Sequence, residues 1–291
     1  MCDNHTPDEW AEYLRKAKIT RRQFGALSAA GMAALMTPHA ADAADVTESD
    51  VNIATPDGAA DCYFVHPVSG ASAAVLVWPD ILGLRTAFRA MGKRLAEEGY
   101  AVLVVNPFYR SAEAPVVPEG ASFADEATRN IVFPLARQLT PETHVTDARA
   151  FIGWLDQQDA VDKSRSIGTT GYCMGGPMVM RTAATRPDRV GAGASFHGGG
   201  LATEADDSPH LLIPEMQADF LIAIAENDDE KEPQAKTTLR KAFADAGLDA
   251  EIEVYEGTMH GWCPIDSAVY DEIQAERAWS RMLALFDKSL A

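Results

Sequence analysis

Residues 171–175 read Gly171-Tyr172-Cys173-Met174-Gly175, a cysteine flanked at two residues on each side by glycine. Ser166 to Thr170 before it has the character of a short strand, and Met174 to Thr185 after it has helical spacing. A nucleophile held between strand and helix needs a sharp turn. Glycines at the flanking positions let neighbouring backbone come close and leave the side chain projecting above a sheet. The helix N-terminus favours the thiolate form of a cysteine placed there. A thiolate needs less activation than a serine hydroxyl to attack a carbonyl carbon. The same spacing also suits a small inert cysteine in a Gly-rich helix–sheet contact, or a phosphate-binding turn. The choice turns on whether a base and an acid are supplied elsewhere.

Both are supplied, in the order nucleophile, acid, histidine that this kind of turn requires. A strand-like run, Leu221 to Ala225, ends in Glu226-Asn227-Asp228-Asp229, and another, Ile252 to Tyr255, ends in Glu256-Gly257-Thr258-Met259-His260-Gly261. Both loops follow strands, so both belong on the sheet edge where the Cys173 turn must lie. His260 can take the thiol proton while an aspartate holds its other ring nitrogen. Asp228 is favoured for that role over Asp229, one of the two being a solvated neighbour or a cap for the helix from Pro233. His197-Gly198-Gly199-Gly200 looks like an oxyanion motif, but that motif belongs before the nucleophile, so a pocket-lining loop is expected here. Ser195 lacks the flanking glycines and reads as structural.

The elements that must position these residues follow from period and punctuation. Val51–Ala54 and Ala60–His66 read as strands around the turn Pro56-Asp57-Gly58. Ala73–Trp78 and Tyr100–Val105 are continuous apolar runs, as expected of strands covered on both faces. Helical spacing covers Phe88–Glu98, the stretch from Pro141 to about Gln158, Pro233–Ala246 and Ala268–Lys288. Residues 107–134, rich in Pro, Gly, Ala and Ser, read as a long irregular excursion near the site. Strands alternating with helices predict a mostly parallel sheet covered on both faces, as one domain over residues 44–291, and with the Cys173 turn the pattern resembles the α/β-hydrolase fold.

Residues 1–43 read as an export signal standing apart from that domain. Arg21-Arg22-Gln23-Phe24 precedes the short apolar stretch Gly25–Met36 and the small-residue run Ala41-Asp42-Ala43. The pattern resembles a twin-arginine signal, which implies transient contact with that export machinery and a periplasmic destination. Without the signal the protein would be cytoplasmic, and the alternative reading is an amphipathic N-terminal helix. A net charge of −18 disfavours nucleic acid and, after signal removal, anionic membranes as partners. The four cysteines (Cys2, Cys62, Cys173 and Cys263) form no Cys-x-x-Cys pair, and no zinc-ligand spacing occurs. No metal or organic cofactor is expected. Loss of Cys2 with the signal would leave an odd number of thiols in an oxidising compartment.

Taken together, Gly171 to Gly176, the Asp228 loop, Gly257 to Gly261 and Pro79-Asp80-Ile81-Leu82-Gly83 resemble the dienelactone hydrolase (carboxymethylenebutenolidase-like) family. The resemblance runs from Asp50 to the C-terminal helix. It implies a Cys173–Asp228–His260 triad that cleaves small-molecule esters or lactones through an acyl-enzyme. It also implies an oxyanion hole from the backbone amides of Met174 and Ile81. Asp80 stands where the family often has a glutamate that meets the resting nucleophile. The family's substrate-carboxylate clamp uses two arginines. Tyr109-Arg110 could supply the first, unless Arg110 pairs with a surface acid. The second is missing from Gly261-Trp262-Cys263-Pro264, which shifts the substrate away from a dienelactone. Trp262, with Trp78, Phe108, Tyr109 and Phe196, is a candidate for an apolar pocket. The rival readings are a thioesterase or acyltransferase on the same residues, a non-catalytic exported binding protein, and a redox role pairing Cys173 with Cys263 or Cys62.

Overall fold

The structure is a computed structural model that describes residue 3 and residues 5–16 and 43–291. Cys2, the Arg21-Arg22 pair and the apolar stretch 25–36 lie outside the described residues. The sheet contains eight strands, β1 (Val46–Thr55), β2 (Gly58–Pro67), β3 (Ala74–Trp78), β4 (Ala101–Val105), β5 (Ile167–Tyr172), β6 (Val190–Phe196), β7 (Asp219–Ala225) and β8 (Ala250–Tyr255). Their spatial order is β1-β2-β4-β3-β5-β6-β7-β8. The β1–β2 hairpin and the β2–β4 pair are antiparallel, and every pair from β4 through β3 to β8 is parallel.

The helices are α1 (Thr6–Lys16), α2 (Thr86–Glu97), α3 (Glu126–Ala136), α4 (Pro141–Leu155), α5 (Gly175–Thr185), α6 (Glu226–Lys231), α7 (Ala235–Ala246) and α8 (Glu272–Ser289), with a 3₁₀ turn at Pro209–Glu215. Strand alternation divides the core in two. Leu76, Trp78, Leu103 and Val105 face α4, α5 and α7, through Phe151, Val179 and Phe243 among others. Val75, Val77, Val102 and Val104 face α2 and α8, through Phe88, Leu95, Trp279 and Phe286. Both faces of β3 and β4 are thus buried, which is why their sequences are unbroken apolar runs. These are the features of the α/β-hydrolase fold.

Two local expectations are corrected. The 107–134 excursion is not wholly irregular, because α3 begins at Glu126 and runs past Pro134, which sits in its last turn. Pro134 inside the helix interrupts the pattern by which a helix is read from sequence, although Asp125 and Glu126 stand at its start. The acidic run after β7 is a short helix, α6, rather than a loop.

The N-terminal segment also does not stand wholly apart. Asp3 Oδ1 accepts from the amides of His5 and Thr6 at 2.8 and 3.0 Å, capping α1. Asp8 and Glu9 lie in its first turn and Arg15 and Lys16 in its last, each sign suited to the helix dipole. A helix this short is marginal alone in water. It is held by docking, with Trp10 buried in a third apolar cluster that includes Ile81, Leu82, Phe123 and Val269 at the C-terminal edge of the sheet. No described helix is long and apolar enough to cross a membrane.

Candidate active site

Parallel strands deliver their following loops to one edge of the sheet, and the candidate residues converge there. Between β5 and α5, Cys173 adopts a left-handed backbone with φ of 53°, a conformation that non-glycine residues seldom take outside functional turns. The turn is possible because its flanks carry no Cβ. A methyl group on Gly171 would lie 2.4 Å from the Gly175 carbonyl oxygen, and one on Gly175 would lie 2.4 Å from that of Trp78. The Cys173 amide donates to the Phe196 carbonyl at 3.0 Å, tying the turn to β6.

His260 Nε2 lies 3.1 Å from Cys173 Sγ, and His260 Nδ1 lies 2.8 Å from Asp228 Oδ2 and 3.0 Å from Oδ1. Cys173 and His260 are fully buried, and Asp228 is mostly so. Asp229 turns away to Lys236, with Nζ at 2.6 Å from Oδ1, so of the two aspartates it is Asp228 that meets the histidine. Asn227, which sequence reading passed over, accepts the His260 backbone amide on Oδ1 at 2.7 Å. α6 therefore presents two consecutive side chains to His260, one to its backbone and one to its ring. Only the folded loop shows the first, because nothing in an Asn-Asp pair signals a long-range backbone contact.

The electrostatics follow from this enclosure. Burial by itself opposes a charged imidazole, but the Asp228 carboxylate and the Cys173 thiolate, with the hydrogen bonds to both, outweigh it and raise His260 to about 9. Asp228 is burdened by burial, yet the neighbouring imidazolium holds its carboxyl below the usual carboxylate range. The arrangement can therefore hold a thiolate–imidazolium pair at neutral pH.

The loop after β3 carries Asp80 and Ile81. Asp80 Oδ1 accepts the Leu82 amide at 2.9 Å, and its backbone carbonyl accepts the Gly83 amide at 2.9 Å. Neither bond uses the Ile81 amide. Met174 occupies the N-terminal end of α5, where helix N–H groups have no intrahelical acceptor. Asp80 itself is held by Arg85, with Nη1 to Oδ1 at 2.7 Å and Nη2 to Oδ2 at 3.0 Å. Arg85 reaches Asp266 at the same time, through Nε at 2.6 Å and Nη2 at 2.8 Å, and donates to the Gly83 carbonyl at 3.2 Å. All five guanidinium N–H groups are thereby occupied. Burial raises the Asp80 carboxyl, against the pull of Arg85. Asp80 thus shapes the loop around Ile81. The Arg85–Asp266 bridge, spanning 181 residues, was invisible in the sequence.

Other candidates fall elsewhere. Arg110 donates to Asp147 at 2.7 and 2.8 Å and to Asp57 at 2.5 and 2.9 Å, and Tyr109 Oη is shared by Thr55 and Asp147 at 2.8 Å. Both side chains brace the β1–β2 hairpin turn against α4, so Arg110 is not free to hold a substrate carboxylate. Trp262 is fully buried and stacks on Tyr255 at 4.8 Å, behind His197 rather than in the cleft. Cys263 packs with Met91, Tyr172, Phe196 and Trp279, and burial raises its thiol far above its ordinary value. His197, expected only as part of a pocket-lining loop, lines the cleft with Cys173. Its ring stands edge-on to that of His260 at 5.1 Å, and burial, with His260 beside it, lowers it to about 3, so it is neutral. The cleft is narrow, with free space of about 30 Å³, and its wall includes Trp10, Ile81 and Phe123. No cluster of metal-ligating side chains occurs among the described residues.

A strand–turn–helix elbow on a mostly parallel sheet, with a histidine and an acid after later strands, is the architecture of the α/β-hydrolase fold. Within that class, the chain belongs to the dienelactone hydrolase family, whose model matches residues 60–290. A relative from Synechocystis sp. is 28% identical over 235 residues, covering 78% of this chain and 91% of its own. The carboxymethylenebutenolidase of Rhodococcus opacus is 23% identical over 238 residues, covering 78% of this chain and 86% of its own. Among solved structures, a dienelactone hydrolase-like promiscuous phosphotriesterase from metagenomic libraries superposes with a TM-score of 0.70 at 21% identity, over 84% of this chain and 99% of that one.

Proposed function

We propose that this protein hydrolyses carboxylic esters or lactones through a thioester on Cys173. The observation that carries the reading is the continuous line from Asp228 through His260 to Cys173 Sγ at the floor of the cleft. In this reading Cys173 Sγ attacks the substrate carbonyl carbon while its proton resides on His260 Nε2. Negative charge develops on the carbonyl oxygen, facing the amides of Ile81 and Met174. The imidazolium passes its proton to the departing alkoxide. Water, deprotonated by His260, then attacks the thioester and releases the acid and the thiol. Asp228 keeps the imidazole in the tautomer and orientation that both halves need.

The acyl portion of the substrate is expected to be uncharged. Arg85 is the arginine that lines the cleft, and its donors are occupied by Asp80, Asp266 and Gly83. Arg110 is occupied by Asp57 and Asp147. Capture of a substrate carboxylate would require breaking one of these buried pairs. A panel of neutral esters, lactones and thioesters, each with a carboxylated counterpart, tests the whole reading with wild type and Cys173→Ala. Neutral esters or lactones should turn over best, and Cys173→Ala should abolish turnover. Full rate in Cys173→Ala would sink the mechanism, and preference for the carboxylated members would sink the substrate class. Faster turnover of thioesters than of oxygen esters would favour a thioesterase.

The sequence supports export as a second part of the proposal, through Arg21-Arg22-Gln23-Phe24 and the run to Ala43. Processing near Ala43 that stops on Arg21→Lys with Arg22→Lys is the expected result, and processing that persists would remove the twin-arginine route.

A further inference from the structure

The cleft above Cys173 has a wall that comes from outside the family-matched residues 60–290. Trp10, on α1, lines the same cleft as Cys173, His197 and Asp80 and is only 6% exposed. Its indole Nε1–H donates to the carbonyl oxygen of His260 at 3.0 Å. Its six-membered ring passes over Gly261, coming within 3.2 Å of where a Cβ would sit, so the two are in close contact. On its other side the ring meets Phe123 edge-on, with centroids 6.3 Å apart.

A second anchor fixes the same helix turn. Glu9 Oε2 accepts from Asn227 Nδ2 at 3.1 Å and from Lys231 Nζ at 2.7 Å. Asn227 is the residue whose Oδ1 holds the His260 amide. Adjacent residues of α1 are thus clasped to α6 and to the histidine loop, the two segments that carry Asp228 and His260. A generic surface contact of a helix would not place an indole in the cleft and a carboxylate on α6 beside it.

We propose that Trp10 is a specificity-determining residue, a fixed wall that limits the size of the acyl group that can reach Cys173. This rests on the carbonyl-attack reading of Cys173 given above. A wall of this kind acts by exclusion. With only about 30 Å³ free beside the indole, a short acyl chain displaces the least. Long or branched ones must displace a buried ring that is hydrogen-bonded at one edge and packed on both sides. If processing occurs near Ala43, it removes this wall with the signal, so precursor and processed chain would accept different acyl groups.

The test uses the full chain and reads ratios rather than absolute rates, because loss of the indole also removes a bond to His260. The ratio of kcat/KM for p-nitrophenyl octanoate to that for p-nitrophenyl acetate is measured in wild type, Trp10→Ala and Trp10→Phe. Trp10→Ala should raise the ratio at least tenfold. Trp10→Phe keeps a ring without the N–H, so its ratio should stay within about threefold of wild type. It also covers the case in which Trp10→Ala fails to fold. Equal ratios in wild type and Trp10→Ala would overturn the proposal, as would a Trp10→Phe ratio as high as that of a folded Trp10→Ala. Alkylation separates this failure from failure of the hydrolase reading. Rates of Cys173 modification by iodoacetamide and by the bulkier N-benzylmaleimide are compared in the same variants. The bulkier reagent should gain at least tenfold over iodoacetamide in Trp10→Ala whether or not any ester is a substrate. An unchanged reagent ratio would show that Trp10 does not guard the thiol.

Discussion

Replacing Asp228 by asparagine removes the carboxylate that faces His260 Nδ1 while keeping the shape of the side chain. In the folded protein His260 is raised from 6.5 to about 9, with Asp228 the first of the groups that raise it. At 1.36 kcal/mol per pH unit, that rise corresponds to roughly 3 kcal/mol of added stabilisation of the imidazolium. The Cys173 thiolate supplies part of it, so loss of Asp228 alone is expected to remove about 2 kcal/mol, or roughly thirtyfold in the thiolate–imidazolium pair. An asparagine can also donate from its amide and hold the imidazole in the wrong tautomer, which brings the expected fall in kcat/KM to about 10²- to 10⁴-fold. Asp229→Asn is the internal control. It breaks only the partly exposed pair with Lys236, worth at most about 1 kcal/mol, and leaves His260 untouched. The assay is kcat/KM on p-nitrophenyl acetate, with the pH dependence of Cys173 alkylation by iodoacetamide as a direct measure of thiolate. Thermal melting confirms that both variants fold. A folded Asp228→Asn within threefold of wild type would refute the reasoning, and so would an Asp229→Asn that loses as much.

Two further outcomes follow from the buried charges. Arg85→Met leaves Asp80 and Asp266 facing each other without their shared cation, a change expected to cost roughly 3 kcal/mol and to lower Tm by about 6–12 °C. Adding Asp80→Asn and Asp266→Asn should recover most of that loss, and a triple variant as unstable as the single one would show that the charges are not the cause. Stability should also depend on His260. Its folded value, about 9, lies above the ordinary 6.5, so its contribution is complete below about pH 6.5 and is lost as pH rises through about 9. Melting curves from pH 6 to 9.5 should therefore show a fall in Tm that is smaller in His260→Gln, and parallel curves would count against the ion pair.

Much of the architecture could be read from local pattern. β3 and β4 are apolar without interruption because helices cover both their faces, and that run survives in the sequence whatever surrounds it. The chain order of Cys173, Asp228 and His260, each after a strand, is equally visible, because parallel connectivity places every such loop on one edge. α3 was hidden by Pro134, which lies inside it. Arg110 illustrates a different limit. Its place in the chain suggested a role at the cleft, but Asp57 and Asp147, far from it in sequence, draw it to the hairpin.

The sequence by itself determined the class of fold, the turn that carries Cys173 and the succession of residues able to form a proton relay. These depend on period, on glycine at two positions and on strand ends, all of which are local. Tertiary structure alone decided that Asp228 rather than Asp229 meets His260, and that Asn227 holds the histidine backbone. It also decided that Arg85 is shared between two acids, and that Trp10 of the N-terminal helix closes over the cleft. The reason is physical. Contacts between side chains separated by tens to hundreds of residues depend on distances that only packing sets, and neither periodicity nor composition encodes them.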